Sequence, residues 1–233
     1  MKIGIIGEYD PSFRPHVATM EALQHVKDEI QKDFSWTWVG TDELRKHFGA
    51  ISRLFDAFWI APGSPYQDME AALWIIAYCR SNAIPTLGTC GGFQHMVIEY
   101  ARNVLGIADA QHAEYDPYAS KLVVNPLACQ IAGEKLRIEL TDAGAKIFQI
   151  YGGQHQIEEK YYCNFGLNPA YQQQLHESGF RVVGKESNGE ARILELTHHP
   201  FFIATLFVPQ DQSTAEYPHP LVRAFAEAGL KRI

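Results

Sequence analysis

The sequence has 233 residues, 46% of them hydrophobic and 20% charged, enough to bury a core without disulfide or metal staples. The 27 acidic residues against 20 Lys and Arg give a formal charge of -7, with no basic cluster, which speaks against a nucleic-acid partner. No apolar run approaches the roughly 20 residues that span a bilayer. No CxxC joins Cys79, Cys90, Cys129 and Cys163, so a reducing, cytoplasmic setting without a membrane partner is expected.

Residues 2–7 form a short apolar run ending in glycine, as in a parallel strand buried on both faces. Over residues 15–32, Val17, Met20, Leu23, Val26 and Ile30 fall on one helical stripe. Residues 34–39 predict a strand and 41–48 a short helix opened by Thr41-Asp42. A buried run over 56–61 stops at Pro62-Gly63-Ser64-Pro65, and 67–80 predicts a helix. Residues 85–88 then predict a strand and 91–105 a helix. This alternation predicts an α/β fold with a doubly wound, mostly parallel sheet of the flavodoxin type. Beyond about residue 120, closely spaced strand-like runs (122–127, 134–140, 160–167, 179–186, 191–196 and 201–207) predict antiparallel additions. Helices are expected over 168–177 and 220–231, and no linker divides residues 1–233, so one domain is expected.

The sharpest local signal is Leu87-Gly88-Thr89-Cys90-Gly91-Gly92-Phe93-Gln94. A strand runs into glycine and cysteine, and two further glycines open a helix. Such a turn strains its central residue, needs small neighbours and lifts the sulfur above the C-terminal edge of the sheet. The helix N-terminus favours the thiolate. A buried, inert cysteine in a glycine-rich turn is the plainer alternative.

The run LGTCGGFQHMVIEYARNVLGIADAQHAEYDP resembles the glutamine amidotransferase domain of cytidine triphosphate synthase, a class I amidotransferase. The likeness resumes over residues 168–210 and again in EYPHPLVRAFAEA, so it covers nearly the whole chain. The chain is accordingly expected to stand alone, without a synthase domain in front. The resemblance implies Cys90 as nucleophile, the Gly63 and Gly91 amides as oxyanion hole, and Gln94 and Glu114 as substrate-holding residues. Where the family continues with glycines after Gly63, this chain has Ser64-Pro65-Tyr66.

Two departures from the family pattern matter more. The strand of the HPFF segment should run on to His-Pro-Glu, the general base and its orienting carboxylate; here Val208 and Gln210 stand at those places. His199 matches the family's own non-catalytic HPFF histidine and is expected to be structural. The arginine that helps hold the glutamine carboxylate corresponds to Asn164. An unassisted cysteine is only a few per cent thiolate at neutral pH, and losing a positioned base costs on the order of 10²–10⁴-fold in rate. Ordinary glutaminase activity is therefore expected to be very weak.

Glu8, one residue past the first strand's glycine, and His112, two before Glu114, are the candidates to replace the lost base. His95, beside the elbow, and His155, in a glycine-rich loop, are lesser ones. No HxH or HxxxH occurs and GIIGEY is not GxGxxG, so neither a metal nor a nucleotide cofactor is expected. The expected function is an atypical cysteine-dependent hydrolase or acyl transferase on a small amide- or ester-like substrate. A catalytically inactive metabolite-sensing or partner-binding module and a glutamine-hydrolysing subunit for CTP synthesis are the alternatives. Expected partners are a small-molecule substrate, with a separate synthase, another protein or a second copy of the chain left open.

Overall fold

The computed structural model of the chain describes residues 1–128 and 131–232; Cys129, Gln130 and Ile233 lie outside them. In chain order, β1 (Lys2–Ile6), α1 (Arg14–Ile30), β2 (Ser35–Val39), α2 (Thr41–Leu54), β3 (Ala57–Ile60), α3 (Met69–Ser81), β4 (Thr86–Thr89) and α4 (Gly91–Asn103) alternate as the apolar pattern predicts. There follow β5 (Ala110–His112), β6 (Lys121–Pro126), β7 (Lys135–Leu140), α5 (Lys146–Ile150), β8 (Gln156–Lys160), β9 (Phe165–Leu167), α6 (Pro169–Glu177), β10 (Phe180–Lys185), β11 (Ala191–Leu196), β12 (Phe202–Thr205) and α7 (Pro220–Leu230).

Nine strands form one sheet in the order β2-β1-β3-β4-β12-β11-β10-β7-β8. From β2 to β12 every pairing is parallel, and from β12 to β8 every pairing is antiparallel. The parallel half carries side chains buried on both faces: β3 and β4 are buried at every position. A second, three-stranded sheet, β5-β6-β9, is separate, and its β5–β6 pair is parallel. This corrects the expectation that the run over 122–127 would add to the main sheet.

A second correction concerns residues 160–167. They do not form one strand: β8 ends at Lys160 in the large sheet, and β9 begins at Phe165 in the small one. Residues 161–164 cross between the sheets. Tyrosines at 161 and 162 read as strand formers, but both side chains serve the crossing: Tyr161 is buried beside Phe207, and the Tyr162 hydroxyl donates to Asp211 at 2.7 Å. Among the described residues no helix is long and apolar enough to cross a membrane.

Candidate active site

The site begins where β4 meets α4. Cys90 sits between them with φ 51° and ψ -107°, a left-handed conformation that costs a non-glycine residue about 1–3 kcal/mol and persists only where surroundings enforce it. Its N–H donates to Thr205 O on β12 at 2.9 Å, and its carbonyl accepts the Gln94 N–H at 3.3 Å. The flanking glycines are required sterically. A Cβ at Gly91 would run into the Gly63 carbonyl, one at Gly92 into the Ile60 carbonyl, and one at Gly88 into Met96 and the Gly92 backbone. The elbow is thus pressed directly against the loop that follows β3.

That contact sets Gly63 beside Gly91, the two residues whose N–H groups are expected to form the oxyanion hole. Gly63 has φ +96°, a conformation glycine adopts without strain, and Gly91 is the first residue of α4, where an N–H has no intrahelical acceptor. The loop from residue 62 to 66 has few glycines but is fixed by other means. His16 Nε2 donates to Pro62 O at 2.8 Å, Tyr115 Oη accepts the Tyr66 N–H at 2.6 Å, and Tyr66 stacks on His95 with ring centroids 4.2 Å apart.

The Cys90 sulfur is not free. A disulfide joins it to Cys163 in the crossing segment, with Cα atoms 5.9 Å apart. The two are 73 residues apart in sequence, so no spacing motif betrays them, and the crossing between the two sheets carries Cys163 over the elbow. Cys163 is the partner of Cys90 that the sequence reading missed. Its position next to Asn164, in the segment matched to substrate holding, was the available signal.

Val208, at the family's base position, is fully buried and its N–H donates to Lys160 O at 2.8 Å. Gln210, at the carboxylate position, is also buried; its amide donates to Thr19 Oγ1 at 3.1 Å and lies 3.5 Å from Thr89 Oγ1. Thr89 Oγ1 in turn accepts the Trp59 indole N–H at 3.1 Å. Gln210 Oε1 is buried without a partner. Residues 200–212 contain no histidine, so the last parallel strand and its continuation bring no imidazole to the sulfur.

The other candidates fall into separate groups. His112 Nδ1 accepts the Glu114 N–H at 3.0 Å, so its proton is on Nε2, which donates to Gln94 Oε1 at 3.0 Å. Gln94 Nε2 then donates to Phe165 O at 2.9 Å. Both imidazole nitrogens are used, and burial pushes the ring's pKa down to about 3. His112 is thus held against Gln94, with its acceptor nitrogen taken by the backbone.

Glu8 Oε1 is held by Thr41, accepting its N–H at 2.9 Å and its hydroxyl. Glu114 keeps one buried carboxylate oxygen, Oε2, without a partner. Asn164 has an exposed side chain, and its carbonyl accepts the Leu127 N–H at 2.9 Å.

His95 is enclosed between Gly91 O, which accepts from Nδ1 at 2.7 Å, and Tyr115 Oη at 2.9 Å from Nε2; burial pushes its pKa down to about 4. His155 opens onto the start of β8, at the far end of that strand from Lys160, the residue that meets Val208. His199 Nε2 lies 3.3 Å from Cys79 O and its Nδ1 accepts the Phe201 N–H at 3.2 Å.

Beside Gly63 an open cavity of about 330 Å³ is lined by Glu8, Asp10, Phe13, His16, Ser64 and Tyr66 among others. It carries two carboxylates and no Lys or Arg. A larger cavity of about 660 Å³ lies elsewhere, between α5 and α7 and against Phe201. That is the opposite end of β12 from Thr205, the residue that holds the elbow, whereas the smaller cavity borders Gly63, the elbow's packing partner.

Residues 45–228 match the model of the family described as glutamine amidotransferase class-I. The chain belongs to that family. It is 35% identical over 98% of its length to CTP synthase of Picosynechococcus sp., and 30% identical over 98% to CTP synthase of Bacillus subtilis. The chain spans only 43% and 44% of those relatives' own lengths. In solved structures, the glutaminase domain of Trypanosoma brucei CTPS with bound acivicin superposes with a TM-score of 0.90 at 22% identity, covering 99% of this chain and 94% of that one. A glutamine amidotransferase from Thermotoga maritima gives 0.60 at 11% identity, covering 99% and 96%. The class I amidotransferase fold, a large mixed sheet with a parallel half, is thereby established for this chain.

Proposed function

We propose that this class I amidotransferase domain is a Cys90-dependent hydrolase or acyl transferase acting on a small amide or ester carbonyl other than that of glutamine. The observation that carries the reading is the elbow itself: Cys90 is held at φ 51° with Gly91 packed on Gly63, a strained arrangement of the kind that presents a nucleophile to a bound carbonyl. In this reading the Cys90 thiolate, released from Cys163 and favoured by the N-terminus of α4, attacks the carbonyl carbon. The Gly63 and Gly91 N–H groups stabilise the oxyanion. Glu8, lining the adjacent cavity, is the group proposed to carry the proton to the leaving group.

Two features argue against glutamine. Val208 and Gln210 supply no base, and Asn164 with the carboxylates Glu8 and Asp10 offers no cationic grip for an α-carboxylate. A second reading, a binding module without turnover, is favoured by the Cys90–Cys163 bond and by the closed His112–Gln94–Phe165 chain.

The test incubates reduced protein and its Cys90→Ala variant with short-chain p-nitrophenyl esters, small amides and glutamine. The expected result is an acyl adduct on Cys90 by mass, hydrolysis lost by roughly 10²-fold or more in the variant, and glutamine turnover matching the variant's. Rapid ammonia release from glutamine, alone or with a separate CTP synthase, would instead establish a glutaminase role. No adduct with any acyl donor would leave the binding module standing.

A further inference from the structure

Of the cysteines described, Cys79 is free and buried, with burial pushing its thiol up to about 12, so it has no call on redox chemistry. Cys90 and Cys163 differ from it in three ways. Their Cα separation of 5.9 Å lies within the span a disulfide bridges without backbone movement. Cys90 stands at the N-terminus of a 13-residue helix, where a thiolate is favoured. Cys163 stands in neither strand but in the crossing between β8 and β9, with its sulfur 3.3 Å from Leu206 O, an acceptor ready for the S–H once the bond opens. On either side the crossing is anchored by polar contacts: Lys160 and Tyr162 both meet Asp211 at 2.7 Å, and Asn164 O accepts from Leu127. These contacts lie outside the bond itself and hold the crossing beside the elbow.

We propose that Cys90 and Cys163 are a reversible dithiol–disulfide couple in which a hydroperoxide oxidises Cys90, Cys163 resolves the product, and a dithiol reductant releases the nucleophile. In the first step the Cys90 sulfur attacks the hydroperoxide; an S–O bond forms, the O–O bond breaks, and the alkoxide leaves as an alcohol with the thiol's proton. In the second, the Cys163 sulfur attacks the Cys90 sulfenic acid; the S–S bond forms, the S–O bond breaks, and hydroxide leaves as water with the second proton. The dithiol is oxidised by two electrons and the hydroperoxide reduced by two. A dithiol reductant reverses the bond by exchange, becoming a disulfide itself. Both sulfurs are nearly enclosed, Cys90 5% and Cys163 3% exposed, which selects a small hydroperoxide over a bulky disulfide as oxidant.

This couple requires only the reactive Cys90 thiol of the function proposed above, not acyl transfer, and its test reads sulfur chemistry by mass. Full-length protein is reduced, desalted, treated with hydrogen peroxide in the presence of dimedone, and mapped by peptide mass. Wild type is expected to give the Cys90–Cys163 linked peptide, lost again with dithiothreitol. Cys163→Ser, checked by a Cys163→Ala variant and by circular dichroism, is expected to raise the dimedone adduct on Cys90 roughly tenfold or more over wild type. Cys129→Ser should change neither. A Cys90 inert to peroxide, a bridge to Cys129, or equal dimedone labelling with and without Cys163 would overturn the proposal. Hydrolysis that survives any of these outcomes would leave the acyl-transfer reading untouched.

Discussion

The buried imidazoles set how the protein responds to acid. Burial pushes His95 down to about 4 and His112 to about 3, and lowers His16 and His199 as well. In the unfolded chain each titrates near 6.5. Below that pH the unfolded chain takes up protons that the folded one refuses, so stability is full above about pH 6.5 and declines as pH falls toward the folded values. His95 and His112 each contribute a slope of up to about 1.4 kcal/mol per pH unit through that window. Urea unfolding at pH 7 and pH 5 should therefore show a lower midpoint at pH 5, and His112→Gln should make that drop shallower. An unchanged slope would mean that His112 is already protonated at pH 5. None of this was legible in the sequence, where His112 reads as a loop residue two before Glu114; its burial depends on Gln94 and Phe165, brought in from 18 and 53 residues away.

At the level of the element, the elbow was readable because glycines on both sides of a cysteine at a strand end have few other uses. What they fit against was not readable: Gly91 packs on Gly63 and Gly92 on Ile60, contacts made by a different strand's loop. Gly91→Ala should accordingly destabilise the fold by about 1–3 kcal/mol, through a Cβ with no room beside the Gly63 carbonyl. Thermal melting is the measurement, and a variant as stable as wild type would show that the loop after β3 yields. The crossing over 161–164 was misread for a related reason. Alternating β-formers look alike whether the strand continues or changes sheets, and only the partners β7 and β6 decide it. β5 and α5, of three and five residues, were missed because they carry neither a continuous apolar run nor enough length to show a period.

Across the whole molecule, the order of strands and helices in the first hundred residues followed from apolar periodicity, since parallel strands buried on both faces leave unmistakable runs. The antiparallel half was legible as to type, but not as to which sheet each strand joins. The Cys90–Cys163 bond ties these parts together: it links the elbow between the parallel sheet and α4 to the passage between the two sheets, closing 73 residues of chain. A closure of that length stabilises the fold by about 4 kcal/mol, equivalent to roughly 10 °C in Tm. The oxidised protein should melt higher than the reduced by about that margin, and Cys163→Ser should melt alike under both conditions. Equal melting of both wild-type forms would mean that the bridge does not persist in solution. The Tyr66–His95–Tyr115 cluster bears on the same site from its other side. With Tyr66 stacked on His95, its N–H held by Tyr115 Oη and its hydroxyl donated to Ala61 O, this wall is built as masonry, not as a door. In the proposed acyl transfer, discrimination among donors then has to happen at the threshold, by shape on arrival, and changing preference would require recutting the stones themselves.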